Sequence, residues 1–155
     1  MSDKPRASTA EELARYADGF NASVMLRHFG LHLTFSEAGR VRGVIAPVQP
    51  WMRGGLGSAA VNGGVIAATF DLVLGVTPAL VDTRHRTATM QLDIAFLRPL
   101  TGDQLVAEAW IDRAGKATIF AAGRILDAAG EVCAKASGLV KVSNVEWQNA
   151  GTPAT

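Results

Sequence analysis

The run Val61–Val81 reads VNGGVIAATFDLVLGVTPALV and holds a single charged residue, Asp71. A helix that is apolar on nearly every face is normally enclosed by the rest of its protein. A carboxylate inside such a helix must be paired, hydrated or functional, because burying an unpaired charge is costly or forces protonation. Asp71 therefore reads in two ways. It is a general base whose proton affinity is tuned by its apolar wall, or a carboxylate that reaches water or an arginine. The pair Gly63-Gly64 opens the run. Glycines at a helix start admit another molecule close to the backbone, and the free N–H groups of a first turn can donate to a developing oxyanion, helped by the helix dipole. Taken alone, such a pair more often reflects packing. Asn62 fits the helix N-cap and can hydrogen bond to a ligand, but it cannot transfer protons at neutral pH. Thr89 offers a hydroxyl near the start of a long strand. Arg84, Arg86, Arg98, Arg113 and Lys116 fall near strand ends and turns, where most such groups are solvated and a subset can hold phosphates.

Other chemistries find no support. His28 and His32 are separated by Gly30, which breaks any helix between them, and His85 stands apart, so no metal constellation emerges. There is no Gly-x-Ser-x-Gly elbow, and Cys133 has no histidine near it in sequence. The Gly-rich loop Gln49–Ala60, carrying Trp51 and Met52, lacks the Gly-Lys-Ser/Thr ending of a phosphate loop. The 155 residues suggest one domain, and 48% hydrophobic content is ample for a core. A net charge of +1 without a basic run argues against nucleic acid as a partner. A single cysteine excludes an internal disulfide and suits a reducing compartment. The polar start MSDKPRASTAEE has no signal-peptide core. Gly63, Gly64, Asp71, Gly75 and Pro78 argue for an enclosed helix over a membrane span. A cytoplasmic protein that neither enters a membrane nor binds nucleic acid is expected.

These residues need elements to hold them. Ser8 with Glu11 suggests a capping box, starting a helix that runs to Asp18 and stops at Gly19. A second short helix is predicted over Ser23–Phe29, ending at Gly30. Leu31, Leu33 and Phe35 alternate with polar residues as in a strand, and Val41–Val48 forms a second. After the long helix, strands are predicted over Arg86–Leu97, Gln104–Asp112, Lys116–Leu126 and Glu131–Ser143. Turns at Thr101-Gly102-Asp103, Ala114-Gly115 and Asp127–Gly130 separate them, which implies an antiparallel meander. Strands and helices do not alternate, so a doubly wound parallel sheet is disfavoured. The simplest solution is α+β: a curved antiparallel sheet wrapping the long helix, with its edges covered by another subunit.

The segment Asn62-Gly63-Gly64-Val65-Ile66-Ala67-Ala68-Thr69-Phe70-Asp71, followed by Thr87 to Phe96-Leu97-Arg98-Pro99 and then Gly102-Asp103, resembles the hotdog-fold acyl-CoA thioesterases of the phenylacetic-acid-degradation type. The resemblance spans roughly residues 20–143. It implies an N-terminal extension with a short helix over 1–19, a hotdog domain over 20–143 and a flexible tail over 144–155. It implies a homodimer or homotetramer with active sites between subunits, acyl-CoA as substrate, and no metal or redox cofactor. Asp71 then acts as general base or nucleophile on the thioester, and the Gly64 N–H polarises its carbonyl. Thr89, brought by the facing subunit, helps hold the attacking water. The CoA nucleotide is expected near Arg84, Arg113 and Lys116. The histidine that commonly precedes Gly-Gly is Asn62 here, and an upstream Asn and Gly of many members fall on Leu56 and Ala59.

The leading expectation is a thioester hydrolase using Asp71, Gly64, Asn62 and Thr89. Gly63, Val65, Phe70 and Leu74, with Met52 and Trp51, are expected to bound the substrate. A binding protein without turnover is the alternative, because the histidine is missing. A hotdog dehydratase is disfavoured, since those generally pair a histidine with an acid and none lies beside this helix.

Overall fold

The computed structural model describes residues 6–54 and 58–147. The expected loose ends over 1–5 and 148–155, and Leu56 in the Gly-rich loop, lie outside them. Helix α1 is Ala10–Asn21, α2 is Val24–Phe29 and α3 is Gly63–Leu74. The strands are β1 Leu31–Ser36, β2 Arg40–Ile45, β3 His85–Phe96, β4 Leu105–Ala114, β5 Thr118–Leu126 and β6 Val132–Glu146. The α+β expectation holds. Five of the six strands, β2 to β6, touch α3. Strands sit about 4.8 Å apart, so five of them are wider than one helix about 10 Å across, and the sheet must curve around it.

The helix starts differ from the sequence reading in instructive ways. The α1 cap is Thr9, with Glu12 completing the capping box. Ser8 is used elsewhere: its N–H donates to the Leu80 carbonyl at 3.0 Å and its hydroxyl to the Ala79 carbonyl at 2.6 Å. Helix α1 also passes through Gly19 to Asn21. There the Asn21 side chain donates to the Leu33 carbonyl and accepts from the Leu33 N–H, both at 2.8 Å. One amide thereby satisfies an orphan donor and acceptor on the free edge of β1, and α1 is pinned at both ends. Helix α2 behaves as expected, with Ser23 capping it and Gly30 ending it at φ 74°.

The long central run is not one helix. It breaks after Leu74, and a short 3₁₀ helix, Thr77–Leu80, follows. Pro78 has no N–H to extend an α-helix and starts a new turn well. The run is long and apolar enough to span a membrane by composition, but here it is the filling of the protein's own sheet.

The sheet order is β1-β2-β4-β5-β6-β3, antiparallel throughout. The expected meander is correct for β4-β5-β6 and wrong for β3, which pairs with β6 at the far edge. The link Leu97–Gln104 therefore crosses the molecule, with Leu100 fully buried along it and Gly102 turning at φ 91°. The turn residues Gly102-Asp103 are real, but they join strands that are not neighbours, which local signals cannot reveal. Strand β6 also runs to Glu146, into the segment expected to be loose.

The inner face of the sheet is made small to let α3 approach. Ala107, Ala109, Ala121, Ala134 and Ala136 are all buried on it. A Cβ on Gly123 would stand 2.8 Å from the Glu108 carbonyl oxygen and 2.9 Å from a Leu74 methyl, and one on Gly138 would stand 2.9 Å from the other Leu74 methyl. Leu74 therefore fills the space that two missing side chains leave. Gly123→Ala should destabilise the fold by about 1–3 kcal/mol through overpacking. Urea denaturation read by circular dichroism checks this, and an unchanged midpoint would mean the helix has room to retreat.

Candidate active site

Helix α3 buries Val65, Ile66, Thr69, Phe70, Val73 and Leu74 against the sheet. Asn62, Gly63, Gly64 and Asp71 are exposed within the single chain, while Ala67, Ala68 and Gly75 are half-buried. The enclosed helix expected from the sequence is thus corrected: one stripe of small residues with Asp71 in it stays uncovered. The hydrophobic pattern could not show this, because the uncovered stripe is itself made of Ala and Gly. The carboxylate of Asp71 has no hydrogen-bond or ion-pair partner among the described residues.

At the helix start, Asn62 is the N-cap. Its Oδ1 accepts from the Gly64 N–H at 2.7 Å. The donor in that bond fixes the amide orientation, so the Asn62 NH₂ faces away from the backbone it caps. The Val65 and Ile66 N–H groups go to the Asn62 carbonyl at 3.0 and 3.2 Å. Among the described residues, the Gly63 N–H is left without an acceptor. The first turn therefore offers the Gly63 N–H and the Asn62 Nδ2 directly, and the Gly64 N–H only in competition with the cap. The Phe96 ring lies over this turn, 3.3 Å from where a Cβ on Gly63 would be.

The other end of α3 carries the second group of residues. Asp71 and Thr89 line one cavity of about 340 Å³ with Leu72, Gly75 and Val76. Both lie on the walls of this cavity within a single chain. Two threonines two positions apart on β3 point to the same helix end and differ in use. The Thr87 hydroxyl donates to the Gly75 carbonyl at 2.7 Å and so satisfies an orphan acceptor of the helix end. The Thr89 hydroxyl, 3.2 Å from where a Cβ on Gly75 would lie, has no partner among the described residues. It is the hydroxyl available to a ligand.

The expected substrate wall needs correction as well. Phe70 and Leu74 are fully buried, Val65 and Met52 nearly so, and all four belong to the core under the sheet. Trp51 is exposed and meets Phe29 edge-on at 6.1 Å. The residues that do wall the Asp71 cavity are Tyr16 and Phe20 of α1 and Trp147 just beyond β6. Sequence reasoning missed them because α1 looked like an extension and Trp147 like part of a tail. Burial pushes the Tyr16 hydroxyl up to about 12, so it stays protonated.

The basic residues separate into two places. Arg84 lies on another cavity beside Arg6, and its guanidinium grips Asp82 through Nε to Oδ1 at 3.0 Å and Nη2 to Oδ2 at 2.8 Å. That grip holds the Asp82 carboxyl down, from the ordinary 3.8 to about 2. Arg113 is the penultimate residue of β4 and Lys116 sits in the β4–β5 turn. Thr118 opposite Lys141, and Lys141 opposite Ala88, put that turn on the same end of the sheet as Thr89. Lys141, exposed in that row, is a further cation that the sequence reading did not single out. Cys133 is buried, and burial raises its thiol above the ordinary value, which suits packing and not nucleophilic attack.

The family model described as Thioesterase superfamily matches residues 59–134, the segment from the helix start through β5 into β6. Among solved structures, the chain is similar to the PaaI protein of the phenylacetic acid degradation operon of E. coli. That match has a TM-score of 0.77 and 19% identity, over 90% of this chain and 99% of that one. It is also similar to a thioesterase from Haemophilus influenzae, with a TM-score of 0.75 and 15% identity over 94% of this chain and 96% of that one. A further thioesterase superfamily protein is 31% identical over 70% of this chain and 54% of its own, with a TM-score of 0.60. No curated protein matches. The fold is thereby shown: a hotdog fold, a six-stranded antiparallel sheet around a central helix.

Two measurements test the local chemistry. Asn62→Ala should cost about 1 kcal/mol of stability by removing the cap, and Asn62→Asp should not. Thermal melts of both variants check this. For Asp82, the folded pKa lies below the unfolded one, so its stabilisation is complete above about pH 4 and is lost as pH falls through about 2. Asp82→Asn should therefore flatten the acid limb of the stability curve between those values, and superimposable limbs would show that the Arg84 grip contributes nothing.

Proposed function

We propose that this protein hydrolyses acyl-CoA thioesters, working as a homodimer or a dimer of dimers whose active sites lie between subunits. The single observation that carries this is the pairing of Asp71 and Thr89, both without protein partners among the described residues, in one cavity at one end of α3. The family match and the thioesterase-named relatives support the same reaction.

The geometry supports the subunit arrangement. Gly64 and Asp71 are seven residues apart on one helix, about 10 Å along its axis. A reacting carbonyl must sit about 3 Å from both its oxyanion donors and its base. Within one chain those distances do not close, but the helix start of one protomer set against Asp71 of another closes them. The uncovered stripe of Gly64, Ala67, Ala68 and Gly75 suits a close helix approach. Strand β3 offers a route to it as a free edge of 12 residues, with Met90 60% and Phe96 56% exposed. Such an edge is a ready template for pairing with another chain.

In the reaction, a water held by Asp71 and Thr89 attacks the thioester carbon. Asp71 accepts the proton of that water. The developing oxyanion rests on the Gly63 and Gly64 N–H groups and the Asn62 Nδ2 of the facing helix start, and the C–S bond breaks to release the CoA thiolate. Direct attack by the Asp71 carboxylate, with water then opening the anhydride, uses the same groups. Neither route calls on a metal or redox group. Lys116, Arg113 and Lys141 lie where they can meet CoA phosphates, and Arg84 does so only by sharing its guanidinium with Asp82.

One observation favours a second reading, binding without turnover: the Gly64 N–H is already held by Asn62. A thiol-release assay run beside calorimetric CoA binding separates the two, since binding with no free thiol would support the binder. Asp71→Ala should abolish thiol release while light scattering still reports the wild-type oligomer. Asn62→Asp should keep the cap yet lower kcat about 100- to 1,000-fold by replacing a donor with a negative charge. Unchanged turnover in Asp71→Ala would sink the mechanism.

A further inference from the structure

The Asp71 cavity has a direction. Its polar groups, Asp71 and Thr89, lie where α3 meets β3, and Asp71 is the only charged residue on its walls among the described residues. With no Lys or Arg there, it offers nothing to the phosphates of a CoA nucleotide. The remaining walls include Leu72, Val76, Tyr16 and Phe20, which suit an apolar group. At about 340 Å³ the cavity is at the small end of ligand sites.

The wall formed by α1 is fixed. Ser8 ties its start to the Ala79 and Leu80 carbonyls, and Asn21 ties its end to both backbone groups of Leu33. Between these anchors, Tyr16 stacks on Phe20 with ring centroids 6.0 Å apart and meets Phe35 edge-on at 6.0 Å. The aromatic pair is thus braced from behind by β1 and cannot swing aside without breaking those contacts.

We infer that Tyr16 and Phe20 are the specificity-determining end wall of this site and set an upper limit on the length of the acyl group, so that a short or compact acyl chain is accepted and a long one is stopped by α1. The inference rests on the thioesterase reading for its substrate but concerns a different part of the molecule. Each methylene that finds apolar wall adds about 0.8 kcal/mol, close to fourfold in kcat/KM, and the gain ends where the wall is met.

The test is a thiol-release series from acetyl- to palmitoyl-CoA on the intact protein. Wild type should gain about fourfold per methylene over the short chains and then fall. Phe20→Ala should move the fall to longer chains, and Tyr16→Phe, which removes only a hydroxyl, should leave it in place. Phe20→Leu serves if the alanine variant melts early. A fall at the same chain length in wild type and in a folded Phe20 variant would overturn the inference, as would a wild type that turns over palmitoyl-CoA as well as shorter chains. Calorimetric binding of the same thioesters covers the case of no turnover. A length limit in binding that moves with Phe20 supports the wall while refuting hydrolysis, and a limit that does not move refutes the wall.

Discussion

Leu74 places one methyl group where Gly123 lacks a side chain and the other where Gly138 does, and this contact sets how closely α3 lies on its sheet. Everything else follows from that closeness. Where the helix lies closest the inner face is Ala and Gly, and the helix turns Phe70, Val73 and Leu74 toward it to fill the space. Once those three positions are committed, the 3.6-residue period decides which residues face away. Gly64, Ala67, Ala68, Asp71 and Gly75 are left on the open side, and the described residues cover them only in part.

That open stripe organises the chemistry. The carboxylate sits near one end of the helix and the backbone donors at the other, about 10 Å apart. Strand β3 serves both ends. Its early part brings Thr87 to cap the Gly75 carbonyl and Thr89 to stand beside Asp71, and its last residue lays the Phe96 ring over Gly63. Because β3 is also one of the two free edges of the sheet, the strand that reaches both helix ends is open to a second chain. On the proposed function, association and site assembly would be one event.

Much of the fold was legible in the sequence because its signals are local. Alternation marked the strands, Ser23 and Gly30 marked the ends of α2, and the lone Asp71 in an apolar run marked the helix that matters. What was not legible is non-local. A Gly-Asp turn looks the same whether it joins neighbours or crosses the molecule, so β3 was placed beside β4 and not β6. Apolar composition could not separate the buried face of α3 from its open one, because Ala and Gly suit both, so Phe70 and Val65 were read as substrate wall and Asp71 as enclosed. The walls that do surround Asp71 come from residues 16, 20 and 147, and only the fold brings those distant positions together.

Under the proposed function, Asn62 stands where the resembled family commonly has a histidine, and magnitudes decide what that changes. Asparagine is among the best N-caps, and the bond from the Gly64 N–H to its Oδ1 is worth about 1 kcal/mol. A ground-state thioester carbonyl, a weak acceptor, does not easily displace it. A tetrahedral oxyanion does, since a single donor of this kind is worth about 2.7–4 kcal/mol in the transition state. The cap therefore yields only when charge develops on the oxygen. An interaction withheld from the substrate and granted to the transition state raises kcat and not ground-state binding. On this reasoning the capped Gly64 is compatible with catalysis. What asparagine cannot supply is acid–base chemistry, so the proposed reaction must draw on Asp71 as the proton acceptor among the described residues of the cavity.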